Sequence, residues 1–151
     1  MIRSQLDKVY TLPDPQVVNV YLGTNQALPK NTWVYVEYDT IQSDINGWFD
    51  IGNHKIIIGE EGFYNISGAT MVSFAEVGIV YHMRLKISNV SVSYNIVHSG
   101  VNNALSMVFA WSGEVNKDDF VQVDMTSKSA LTDTYINAHQ SFTYLSLSRI
   151  K

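Results

Sequence analysis

From Thr32 to the end of the chain, apolar and polar residues alternate with a period of two. The longest such stretch follows the turn Gly59-Glu60-Glu61-Gly62. In it Tyr64, Ile66, Gly68, Val72 and Phe74 share one parity, and Phe63, Asn65, Ser67, Ala69 and Met71 the other. Successive side chains of a strand point to opposite faces. The stretch therefore predicts a central strand with one aliphatic-aromatic face and one small, mixed face. Further strands are predicted over Thr32–Tyr38, His54–Ile58, Ile79–Ile87, Val90–Val97, Ala104–Trp111, Asp119–Met125 and Gln140–Ile150. Asn46-Gly47 predicts a two-residue hairpin, whose central positions both need positive φ. Ser88-Asn89 predicts a second tight connection. Many short strands with frequent turns and no useful amphipathic helix predict an all-β sandwich of two antiparallel sheets.

Residues 1–30 break this rhythm. Ile2, Leu6 and Val9 have helical spacing, but Pro13 and Pro15 stop a helix early. Val17–Leu22 reads as a short strand, and Gly23–Pro29 as a loop. The expectation is a peripheral arm that attaches a domain of residues 31–151 to a larger body, and that adds little to its stability.

Composition narrows the classes. At 151 residues the chain suits one domain with a real core. It is 46% hydrophobic but only 16% charged, which hints that some surface is covered by partners. The net charge is −4 and the ten Lys and Arg residues are thinly spread, so nucleic acid is not an expected partner. No apolar run reaches the roughly 18 residues of a membrane helix, and the first residues lack an apolar leader. There is no cysteine, which excludes disulfides, thiolate metal sites and Cys nucleophiles.

Candidate chemistry is sparse. His54, His82, His98 and His139 form no zinc-binding spacing. No nucleophile elbow or phosphate-cradling loop occurs. Asp44 to Gly47 looks like the start of a calcium loop, but the downstream Glu is missing and Trp48 and Phe49 follow, so a turn is the better reading. Asp118, Asp119 and Asp124 read as turn and solvent-face residues. The expectation is a non-enzymatic chain without cofactor or metal. A sugar-binding or sugar-cleaving domain is the alternative, since exposed aromatic rings suit carbohydrate.

Several local patterns fall in one order: Gly62-Phe63-Tyr64-Asn65-Ile66-Ser67, then Arg84-Leu85-Lys86-Ile87, then Lys117-Asp118-Asp119-Phe120-Val121-Gln122-Val123, and last Ser141-Phe142-Thr143-Tyr144-Leu145-Ser146-Leu147. Together they resemble the C1q-like domain of the C1q/TNF superfamily over roughly residues 32–151. Asp118 and Tyr144 stand where that family usually has glycine. The resemblance implies a ten-strand jelly roll that forms a compact homotrimer, and it implies no chemistry. It places Tyr64, Val121, Val123 and Phe142 in the core, with Ile66 and Val72 beside them. If Phe142 points inward, Leu145 and Leu147 point outward. Ala69 and Met71 would then join them, with Phe109 and Trp111 from the strand over Ala104–Trp111, as candidates for the trimer interface. Trimeric jelly rolls of this kind occur in secreted animal proteins, on bacterial spores, and in phage tails, fibres and decoration proteins. With no export signal at the start, the expected setting is a virion, with a secreted ligand, extracellular or at the cell surface, as the alternative. The expected partners are thus a second and third copy of the chain, a virion or fibre body, and a host-surface glycan or protein. Contact with the latter is expected from loops, with Trp48, Asn102 and Tyr135 as candidates.

Overall fold

The computed structural model describes residues 17–100, 103–128 and 130–150. In these the strands are β1 (Val17–Tyr21), β2 (Gln26–Leu28), β3 (Val34–Tyr35), β4 (Thr40–Asp44), β5 (Phe49–Asp50), β6 (Lys55–Ile57), β7 (Gly62–Ala75), β8 (Val80–Ile87), β9 (Val90–His98), β10 (Asn103–Val115), β11 (Phe120–Lys128), β12 (Thr134–Ile136) and β13 (Tyr144–Arg149). No helix occurs among the described residues. The first sheet runs β2-β12-β7-β13-β1-β4, with β10 on the other edge of β7. The second runs β5-β6-β11-β8-β9, with β3 also paired to β11. Every pairing is antiparallel.

β7 organises the first sheet as its alternation predicts. Tyr64, Ile66 and Val72 are buried between the sheets. Opposite them, β11 sends Val121, Val123 and Met125 inward, and β8 sends Tyr81, Met83 and Leu85. Alternation fails at the end of β7, where Phe74 takes a φ of 51° and turns its ring into solvent. Gly68 is in the strand because nothing larger fits: a Cβ there would lie 2.5 Å from the Phe109 ring and would also strike the Tyr144 carbonyl.

Three expectations need correction. The first concerns the arm. β1 is not peripheral but sits between β13 and β4, with Val18 and Val20 1% exposed. Leu22 and Leu28 are buried too, and β2 pairs with β12. The Val-x-Val alternation within residues 17–21 is that of a core strand. Residues 1–16 lie outside the described residues.

The second concerns β13. Phe142 is 39% exposed rather than in the core. It lies in a turn, where the amides of Phe142 and Thr143 both donate to the His139 carbonyl at 2.9 and 3.0 Å. Regular alternation begins after it, so Thr143, Leu145 and Leu147 are the inward residues and are buried. Leu145 and Leu147 therefore fill the sandwich rather than face outward.

The third is the Asn46-Gly47 turn. Only Gly47 there has positive φ, at 68°, and β4 and β5 belong to different sheets. The turn hands the chain from one sheet to the other. Both Asp44 carboxylate oxygens are spent on it, accepting from the Trp48 and Phe49 amides at 2.9 Å each. The two-residue hairpin is instead Ser88-Asn89, with φ of 45° and 69°, joining β8 to β9 as expected.

Candidate functional site

Each sheet turns one face to the core and one away from it, and the two outward faces differ in kind. On the first sheet, register aligns residues of β1, β13, β7 and β10 in rows. One row is Val17, Ser148, Asn65 and Ser112; the next is Asn19, Ser146, Ser67 and Ala110; the third is Tyr21, Tyr144, Ala69 and Val108. None of these side chains carries a charge at neutral pH. Met71 continues the face beyond Ala69, and Val108 is 64% exposed. Ser146 donates to Asn19 at 2.5 Å, and Ser112 donates to Asn65, so the polar members are paired along the rows.

Of the six interface candidates, Ala69 and Met71 lie on this face. Phe109, buried, and Trp111, half-buried, have the opposite parity on β10 and pack against the core, as do Leu145 and Leu147. These four are corrected to core positions. The ligand-loop candidates are dispersed. Trp48 is packed on the core, tilted against the Tyr64 ring at 6.2 Å, with its indole filling the space beside Gly59. Tyr135 is exposed but sits in β12, opposite Ser73 and Ala27, not in a loop. Asn102 lies outside the described residues.

On the second sheet the outward face carries a cluster that the sequence reading missed. Alternation along β8 sends His82, Arg84 and Lys86 outward. Cross-strand partners Asp124 and, further along β11, Lys128 share the face, with Tyr94 of β9 opposite Arg84 and Tyr35 of β3 opposite Asp124. Asp124 is 3% exposed and is gripped by Arg84 through Nε at 2.8 Å and Nη2 at 2.5 Å. This fork raises the Arg84 pKa further, and the expectation that Asp124 faces solvent is corrected. Lys86 lies 3.7 Å from the same carboxylate and donates to the Tyr35 hydroxyl at 3.2 Å.

Aromatic rings frame these charges. The Arg84 guanidinium lies over the Trp33 ring, 3.6 Å from its centroid, and the Lys128 ammonium is 5.8 Å from the same ring. His82 meets Trp33 edge-on and its Nδ1 is 2.5 Å from the Tyr94 hydroxyl. Burial, followed by the positive charges of Lys128, His98 and Arg84, pushes the His82 pKa below its ordinary value. Trp33 and Lys128 are far apart in sequence, so no basic run announces the cluster. The legible signal was the spacing His82-x-Arg84-x-Lys86 inside a predicted strand, which puts three basic residues on one face.

No family model matches the sequence, and no curated protein matches it. Solved structures do resemble it. The globular domain of zebrafish complement 1qA superposes with a TM-score of 0.70 at 14% identity, over 91% of this chain and 98% of that one. Murine APRIL at pH 5.0 gives 0.70 at 9% identity, over 90% and 99%. Eiger TNF from S. frugiperda gives 0.67 at 8% identity, over 91% and 93%. The fold is the C1q/TNF jelly roll. Identities this low establish the fold and leave function to the surfaces described above.

Proposed function

We propose that the chain is a non-enzymatic recognition module that works as a homotrimer, closed through the outward face of the first sheet. The observation that carries this reading is the run of uncharged rows across β1, β13, β7 and β10. Charged residues are costly to bury without partners, and the cores of protein interfaces are depleted in them. A solvated sheet face normally carries them, whereas this face offers Ala69, Met71, Val108, Tyr21 and Tyr144 with paired Ser and Asn between. The likeness of the fold to C1q and TNF domains supports the same arrangement, as does the low charge content of the chain.

In this reading the faces divide the labour. The first sheet assembles the trimer, and the second sheet and the loops stay free for a ligand. An attachment role for the chain's start would fall to residues 1–16, since residues 17–28 are built into the sheet. The virion setting expected from the sequence gains no support from the fold and is no part of this proposal.

Light scattering at micromolar concentration should return three times the 17.0 kDa chain mass. Ser67→Arg, a change at the centre of the uncharged rows, should give a folded monomer with an unchanged β-sheet spectrum. A wild-type monomer, or a Ser67→Arg trimer, would overturn the arrangement.

A further inference from the structure

We propose that the outward face of the second sheet, centred on Arg84, Lys86, Lys128 and Tyr94, binds an acidic saccharide, with the sugar's carboxylate or sulfate on the cations and its ring against the tyrosine. This rests on the chain being a recognition module, and not on its being a trimer. The first observation is a local surplus of positive charge on a chain whose net charge is −4. Arg84 and Lys86 share one carboxylate, Asp124, which lies buried beneath them, and Lys128 stands by the Trp33 ring. Lys128 makes no ion pair among the described residues. Arg84 spends Nε and Nη2 on Asp124 and keeps the two N–H donors of Nη1.

The second observation is order. Asp124 and the Trp33 ring fix the Arg84 guanidinium from two sides, and the Tyr35 hydroxyl fixes Lys86. Long cationic side chains ordinarily lose rotamer freedom when they bind, and here part of that loss is already incurred in the free protein. The third is the ring at the edge. Tyr94 is 48% exposed and is steadied by its hydroxyl contact with His82, which leaves an apolar ring surface beside the cations.

These features favour a sugar over a nucleic acid. Single-stranded nucleic acid binds along a basic groove with several free rings on which successive bases stack. Here the Trp33 face is covered by Arg84, and the Tyr35 ring has Lys86 above it at 5.2 Å. The surplus charge is confined to one spot. One or two anionic contacts and one ring suit a short stretch of acidic polysaccharide.

Titration calorimetry on the full chain tests this with four probes: a heparin-derived hexasaccharide, a hexagalacturonate, neutral maltohexaose and a single-stranded oligothymidylate. At least one acidic sugar should bind, more weakly as salt rises, while maltohexaose does not. Which of the two binds separates sulfate from carboxylate recognition. Lys128→Glu should weaken that binding roughly tenfold or more, the loss of a charge-assisted hydrogen bond, with melting unchanged. Tyr94→Ala should weaken it as well. The proposal is overturned if neither acidic sugar binds, if maltohexaose binds as well as they do, or if Lys128→Glu has no effect. Tighter, Lys128-dependent binding of the oligonucleotide would also overturn it and assign the face to nucleic acid. Light scattering on the same samples reports the trimer separately.

Discussion

Arg84 and Asp124 face each other directly across β8 and β11, and their side chains close a two-pronged ion pair over the outside of the second sheet. The carboxylate is the buried partner and the guanidinium is about a quarter exposed. Removing the arginine therefore leaves a desolvated charge behind, with only Lys86 nearby. Arg84→Met should cost about 2–3 kcal/mol, below the full penalty for breaking a buried pair because the site is partly wet. Arg84→Met with Asp124→Leu should recover much of that loss, since two apolar side chains need no pairing. Chemical denaturation of the wild type, both single variants and the double variant measures the coupling. Additive losses would show that the two residues do not act as a pair.

Strand existence and inward parity were legible wherever a segment alternated cleanly between ordinary turns. β8 and β11, and β7 as far as Val72, bury the residues that their period of two selects. The errors arose where a turn stood close to a strand. Taking Phe142 as inward, as the resemblance implies, inverts the parity of Leu145 and Leu147, because every second residue follows the one that sets the face. The strand over residues 17–22 is legible, but its place between β13 and β4 is not, because only long-range pairing sets it. The basic cluster draws on β3, β8, β9 and β11, and only register brings those strands together. Trp48 shows a different limit: composition marks an aromatic ring, but not whether a neighbouring glycine leaves it room to pack inward.

Gly68 should not tolerate a side chain. Its position faces Phe109 across the β7–β10 pairing and Leu145 across the β7–β13 pairing. A methyl group would meet the Phe109 ring at 2.5 Å and also the carbonyl of Tyr144. Gly68→Ala should lower stability by about 1–3 kcal/mol, the usual cost of overpacking. Adding Phe109→Leu should return only part of this, because the backbone carbonyl cannot move aside as a ring can. Full recovery in the double variant would show the carbonyl contact to be unimportant.

A chain that begins at Lys30 should fail to fold. It would lack β1, which supplies backbone partners to both β13 and β4, and would lose the buried side chains of Val18, Val20, Leu22 and Leu28. Full burial of one such side chain contributes roughly 1.5–3 kcal/mol, so together they rival the 5–15 kcal/mol that holds a domain folded. A chain that begins at Asp14 keeps all of them and should unfold cooperatively. Circular dichroism melts of the two chains check this; a cooperative melt from the shorter one would return residues 17–29 to the role of a detachable arm.

His82 should make the domain less stable in mild acid. Its imidazole is surrounded by Trp33 just before β3, Tyr94 and His98 of β9, Lys128 of β11, and Arg84 on its own strand, with Asp124 held by Arg84. Burial and the three basic neighbours oppose its protonation, so its pKa in the folded chain lies below the unfolded value of about 6.5. As the pH falls through that window the unfolded chain takes up a proton that the native one resists. Stability conferred by the neutral ring is therefore present above about pH 6.5 and is lost as the pH drops through the folded pKa. Melting temperatures of the wild type and of His82→Gln, taken from pH 7.5 to 5, isolate this residue from the other histidines. The glutamine variant keeps a polar group facing Tyr94 and should show the shallower decline. Parallel declines would mean that His82 is protonated as easily in the folded chain as in the unfolded one, and that the cations around it exert no effective field there.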